Sequence, residues 1–424
     1  MAAAHAPARR DRRSARLSAD GAPRREYHRH LFGGWWSGPL QVENTPAGAA
    51  GRSVRLRYID ALRGIAALLV LWLHVVNGYH ALSPATAVQG GWLNELFASL
   101  DIGRIGVVVF FLISGFVVPF SIHADSAAPV RGFAIRRFFR IFPAYWLSVP
   151  LAAFAFFWIQ GSPFSARELL VNLTLMQDLV GVRPAEGVYW TLLVELVFYA
   201  LCIALLLGRS LFSPRRLAII AASLALLHVV AMFMQWLGKP VASVTLAFWP
   251  LNLSLMFFGA LYRMQATAQR DRDASAILPM LGIFYVLALP IGAALAIHKV
   301  PTYTIAYALG FIVFIVGTRF VHIETRLTDW LGRISYSVYL LHPVVAELIY
   351  LWLLRQPADS AWRTQQLVVY LAIVTLLTLG AAALAYRFVE APAIRLGHRL
   401  ASRRERAIAS DRTDVPRDAE PATT

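Results

Sequence analysis

Cysteine occurs once in 424 residues, at Cys202. That count excludes an intramolecular disulfide, a zinc site built from several thiolates and an iron–sulfur centre. Charged side chains are also scarce, at 15% against 58% hydrophobic. A chain of this length cannot bury so much apolar surface in one or two soluble cores. Lysine is almost missing, since arginine supplies 38 of the 40 basic residues. No internal repeat is visible, which argues against a transporter assembled from inverted halves. No apolar h-region precedes the first long apolar run, so the arginine-rich start does not read as a cleaved signal peptide.

What the chain does contain is long apolar runs. Ten are long enough to cross a bilayer, at roughly 62–80, 103–123, 141–160, 188–208, 217–237, 242–262, 276–297, 302–320, 335–354 and 366–386. The expected fold is therefore an all-α polytopic membrane protein with about ten transmembrane helices. The stretch ARELLVNLTLMQDLV is too short and mixed to span and reads as an interfacial or re-entrant helix. Arginines cluster in alternate connections: RGFAIRRFFR, GRSLFSPRR, YRMQATAQRDRD and TRFVHIETRLTDWLGR each carry three or four. By the positive-inside rule both termini are cytoplasmic and the protein is a multi-pass component of the inner membrane. The net charge of +16 is accounted for by that topology and by anionic lipid, so no nucleic-acid partner is expected.

The organisation follows from the same pattern. Residues 1–55 form a basic arm without apolar periodicity, expected to be disordered and cytoplasmic, in which Trp35 and Trp36 are candidate interface contacts. Residues 56–398 form the membrane domain, and 399–424 a polar cytoplasmic tail expected to be disordered.

Ionisable groups inside apolar runs point to function, because each must find a partner or a wet cavity. His74 lies about three helical turns into YIDALRGIAALLVLWLHVV, eleven positions after Arg63. Glu195 follows Trp190 in VYWTLLVELVFYAL, and a Glu–His pair with His74 would suit general-base chemistry. His342 in ISYSVYLLHPVV shares a helix face with Ser335, and Pro343 frees a backbone carbonyl beside it. Arg136, Arg137 and Arg140 in IRRFFRIFPAY give a short helix a basic face suited to phosphates or to topology alone. Ser114 in GVVVFFLISGFVVPF reads as a polar lining group rather than a nucleophile, and Gly115 as a point of close helix approach. No metal site is indicated.

Taken in order, RGIAALLVLWLHV, GVVVFFLISGF, RRFFRIFPAYW, YWTLLVELVFY, LGRISYSVYLLHPV and RFVEAPAIR resemble the acyltransferase-3 family of integral-membrane acyltransferases, across about 55–395. The resemblance implies a ten-helix domain that moves an acyl group, acetyl in most members, from acyl-coenzyme A to a hydroxyl of a surface or exported glycan. Acyl-coenzyme A would be a co-substrate, with no permanently bound cofactor. The partners implied are the bilayer, the donor, a glycan or glycolipid acceptor and glycan-assembly proteins. His74 and Glu195 are the catalytic candidates. Arg63, Arg137, Arg140, Ser114, Trp190 and His342 are the substrate-binding ones. His74 would act as general base, held by Glu195 or another polar partner, or else carry a transient acyl group. The chain departs from the family pattern at Val108, where many members are acidic, and at Leu196, where a second glutamate is frequent. The competing class is a polyprenyl-linked glycan transporter or flippase with no thioester site.

Overall fold

Runs of leucine, valine, alanine and phenylalanine with few breakers dictate helix throughout, and the computed structural model contains no strand among its described residues. It describes residues 56–413 except 125, 127, 240–246, 267–276, 279–280, 283–284 and 286–299. All of these belong to the unit Pro39–Thr424. The N-terminal arm, with Trp35 and Trp36, lies outside the described residues.

Helix α1 (Arg57–Tyr79) is followed by α2 (Pro84–Leu100), which starts on a Ser83–Thr86 capping box with Pro84 in its first turn. Asp101 takes a left-handed conformation, φ 43°, and its side chain caps α3 (Ile102–Val117) by accepting from the Arg104 amide. Helix α4 (Pro129–Ala153) runs on into a π turn at Phe154–Trp158. The short α5 (Ala166–Leu173), capped by Ser165 and Glu168, falls within the stretch expected to be too short to span. Then come α6 (Trp190–Leu207), α7 (Pro214–Trp236), α8 (Trp249–Ala266), α9 (Val300–Arg319) and α10 (Arg326–Leu354). Helix α11 (Leu367–Ala385) passes through a second π turn, Tyr386–Glu390, into α12 (Ala391–Thr413).

Eight helical stretches among the described residues are long and apolar enough to cross a membrane: 57–79, 91–121, 129–158, 187–207, 214–236, 302–319, 326–354 and 367–402. Each corresponds to one of the ten runs. The run 242–262 overlaps α8, whose Asn252, Ser254, Arg263 and Gln265 dilute its apolarity and of whose 18 residues 15 are buried. The run 276–297 falls mostly outside the described residues. The tail expected from residue 399 is helical as far as Thr413.

Helix α1 is packed between α3 and α10, while α8 lies against both α3 and α7. The α3–α8 crossing rests on two glycines. A Cβ on Gly115 would sit 1.7 Å from the Met256 carbonyl oxygen, and one on Gly259 would sit 2.2 Å from that of Leu112. Backbones meet there with no room for any side chain, which is how small residues assemble helices in lipid, where apolar burial supplies no drive. Replacing Gly115 with leucine is expected to force the pair apart at a cost of at least about 1–3 kcal/mol. A lowered melting temperature in detergent would register it, and wild-type melting would contradict this crossing.

Candidate active site

Five helices, α1, α3, α4, α6 and α10, enclose a cavity of about 100 Å³ into which Arg63, Ser114, Arg137, Arg140, Glu195 and Tyr199 project. Glu195 and Tyr199 are four residues apart on α6 and share a face. The tyrosine hydroxyl donates to Glu195 Oε1 at 2.5 Å, and Ser114 Oγ donates to the same oxygen at 3.4 Å. Arg137 donates to Ser121 Oγ at 2.5 Å, its guanidinium lying 5.4 Å from the Phe133 ring centre and 5.1 Å from that of Tyr199. Such rings hold a cation in place without neutralising it.

Arg140 is held differently. Its Nη1 meets Glu390 Oε1 at 2.5 Å, and Ser337 Oγ donates to Glu390 Oε2 at 2.6 Å. The Glu390 side chain is 0% exposed, at the last position of the π turn between α11 and α12. The wider turn adds a residue to the helical circuit, a feature frequent at functional positions. Arg63 has no hydrogen-bond or ion-pair partner among the described residues; Asp60, Glu195, Glu390 and Arg140 act on its charge at longer range. A cation in that position suits an anionic ligand.

The histidines form a second cluster. His74 Nδ1 lies 2.8 Å from the Val70 carbonyl, and His342 Nδ1 lies 3.2 Å from that of Val338. A carbonyl can only accept, so in the neutral rings each Nδ1 carries the proton and each Nε2 keeps a lone pair. The two rings meet nearly edge to face, 5.0 Å between centroids. His342 is fully buried, with Nε2 lacking a partner, whereas His74 is exposed. A lone pair on an accessible imidazole nitrogen is what both a general base and an acyl carrier need.

The acyltransferase domain profile matches residues 56–387. The chain belongs to the acyltransferase-3 family. Its enzyme class is thus acyltransferase, and its helices make it a multi-pass membrane member. It is similar to a protein of Komagataeibacter xylinus named as a membrane-bound transacylase, BcsY, at 28% identity over 68% of this chain and 72% of that one. It resembles nodulation protein 10 of Rhizobium leguminosarum bv. viciae at 34% identity over 33% of this chain, the match spanning 41% of that relative's length. A protein of Acidianus two-tailed virus named as an acetyltransferase is 23% identical over 69% of this chain and 83% of its own. No solved structure matches.

Within this acyltransferase the expected residues separate into the two clusters. Arg63, Ser114, Arg137, Arg140 and Glu195 come together in the cavity, while His74 and His342 come together outside its lining. His74 was expected to be held by Glu195 or another polar partner, and no hydrogen bond or ion pair joins it to Glu195 among the described residues. Glu195 is engaged by Tyr199 and Ser114, and eleven residues of helix, about 16 Å of rise, separate His74 from the cavity residue Arg63. Trp190 does not line the cavity; its ring centre lies 6.2 Å from that of Phe111, which does. The basic trio belongs to the 25-residue α4 rather than to a short helix, because the chain continues helically through Pro143. Sequence reading missed Tyr199, Glu390 and Tyr336, which lines the cavity and donates its hydroxyl to the Ile141 carbonyl at 2.9 Å. Glu390 lies in the motif RFVEAPAIR, and a carboxylate at the end of an apolar run was the signal available.

Just before α6, Glu186 caps the short turn Gly187–Tyr189. Burial pushes its carboxyl up to about 7, Glu347 adding to the effect and amide donors opposing it. A carboxyl raised on folding favours the protonated protein, so its stability is full below about pH 4.5 and falls as pH rises through about 7. Wild type should therefore lose more melting temperature between pH 5 and 8 than Glu186→Gln. Parallel profiles would refute the shift.

Proposed function

We propose that the protein moves an acyl group, acetyl in the simplest case, from acyl-coenzyme A to a hydroxyl of a surface or exported glycan, within an inner-membrane domain of ten spans with both termini cytoplasmic. The observation that carries this reading is the cavity itself, where three arginines and one carboxylate converge between apolar helices of an acyltransferase domain. Arg63 and Arg137 supply charge for the donor's phosphates, and Arg140, held by Glu390, shapes the wall between them. The donor's pantetheine arm then follows α1 toward His74.

His74 Nε2 takes the proton of the acceptor hydroxyl as its oxygen attacks the thioester carbonyl. The carbon–sulfur bond breaks, and the coenzyme A thiolate leaves with the proton returned by the imidazolium. The fixed Nδ1–H of His74 keeps the lone pair on the reacting nitrogen.

The test is surface-glycan O-acetyl content, by proton NMR, in a deletion strain carrying wild type or Arg63→Ala at equal membrane expression. Wild type should restore the ester signal and Arg63→Ala should not. A strain whose acyl esters respond to neither protein would reject this activity and return the flippase reading.

A further inference from the structure

Helices α1 and α10 are locked in register at two levels. Near their starts the backbones touch, since a Cβ on Gly332 would sit 2.2 Å from the Asp60 carbonyl oxygen. Farther along both, the Tyr79 hydroxyl donates to the Ala346 carbonyl at 2.5 Å. The two helices therefore run in parallel, and His74 and His342 meet between these anchor points, 5.0 Å between ring centroids. The contact belongs to the scaffold and is no chance approach of two mobile side chains.

The chain around His342 fixes where its proton sits. Pro343 has no amide hydrogen, so the Tyr339 carbonyl loses its helical donor. The His342 Nδ1–H lies against that carbonyl and against Val338's, the latter at 3.2 Å. The lone pair is left at Nε2, which is buried and unpartnered. A buried acceptor with no donor calls for an explanation. Among the described residues two rings lie against His342. One is Tyr339, whose hydroxyl is already engaged by the Val188 carbonyl and Thr191. The other is His74, which in its neutral form also has only a lone pair at Nε2. His74 becomes a donor there at one moment of the reaction, when it has taken the acceptor's proton.

We propose that His342 is a positioning residue for acyl transfer, its Nε2 accepting a hydrogen bond from the His74 imidazolium and steadying that ring while the thioester is attacked. The inference rests on the acyltransferase reading and adds the group that supports its charged base. The proton passes from the acceptor hydroxyl to His74 Nε2 and stays on that nitrogen while His342 accepts from it. It leaves with the coenzyme A sulfur as the new ester bond replaces the carbon–sulfur bond, so His342 begins and ends neutral. No carboxylate does this work directly. Glu195 is engaged by Tyr199, and Asp101, which acts on His74 at longer range, is ion-paired with Arg104 at 2.7 Å. A fixed acceptor aimed at developing charge needs no reorganisation when that charge appears.

The experiment compares full-length wild type, His342→Phe and His342→Gln in nanodiscs, with acetyl-coenzyme A and an oligosaccharide acceptor. Phenylalanine keeps the volume and the ring contact, whereas glutamine keeps a polar acceptor near the position of Nε2. Coenzyme A protection against heating checks that each variant is folded. His342→Phe should lower kcat about 10–100-fold, the worth of one hydrogen bond to a charged group, with both KM values unchanged, and His342→Gln should recover most of that loss. Wild-type kcat in His342→Phe, equal losses in the two variants, or a change confined to KM overturns the proposal. The pair is also read without turnover, by solid-state NMR of protein carrying ¹⁵N-histidine. As acidification protonates His74, the His342 Nε2 signal should shift while remaining that of an unprotonated nitrogen, and His74→Gln should abolish the shift. A signal indifferent to His74 overturns the pairing. If wild type transfers no acyl group, the acyltransferase reading fails, and the NMR result still decides the pair.

Discussion

His74→Ala is expected to lower acyl transfer about 10²–10⁴-fold, the usual contribution of a positioned general base, while coenzyme A still protects the protein against heating. The two halves of that expectation come from different parts of the molecule. The imidazole contributes one hydrogen bond, to the Val70 carbonyl, and one ring contact, to His342, and is itself exposed. Its loss removes the basic nitrogen without opening the core. The residues proposed to hold the donor, Arg63 and its neighbours in the cavity, lie about 16 Å away along α1 and are untouched. His74→Gln sharpens the test, because an amide can restore a hydrogen bond to Val70 but cannot take a proton from a hydroxyl. Transfer by either variant at wild-type rates would remove His74 from the chemistry. Incubation with donor alone separates the two mechanisms: an acyl-imidazole route leaves an acyl group on the protein, and general-base catalysis leaves none.

Glu390→Ala should be the most damaging substitution for stability, costing at most about 3–5 kcal/mol by leaving the half-buried Arg140 guanidinium without its counter-ion. Glu390 is 0% exposed and joins three elements, since it accepts from Arg140 of α4 and Ser337 of α10 while sitting in the π turn that leads from α11 to α12. The expected result is a sharp fall in melting temperature and in yield of detergent-soluble protein. The double variant Arg140→Met with Glu390→Leu removes both charges and fills similar volume, so it should regain much of the lost stability. Donor affinity of that double variant is informative in turn. If Arg140 shapes the wall and Arg63 and Arg137 hold the phosphates, coenzyme A protection persists; its complete loss would assign Arg140 to the donor directly.

The helices of this protein were readable because the signal is local. Eight of the apolar runs correspond to helices able to span a membrane, and no competing structure satisfies backbone polar groups in hydrocarbon except a closed barrel. Gly115 was legible as a close-approach position for a similar reason, since a small residue in a bulky apolar run has few other uses. Partner choice was not legible. Glu195 and His74 looked like a pair because each is an ionisable group that needs a partner, yet Tyr199, four residues along the same helix, already engages the carboxylate. Arg140 read only as part of a basic face because its counter-ion is 250 positions away in sequence.

By itself the sequence determined the class of molecule, its helical runs, its family and the set of ionisable residues held in apolar surroundings, because composition, periodicity and motif order are properties of the chain alone. Only the tertiary structure decided that these residues form two clusters, with the arginines and Glu195 in one and the histidines in the other. That outcome depends on which helix faces touch. Facing is set by packing between segments more than a hundred residues apart, such as the crossing of Gly115 with Met256, and no local pattern carries that information.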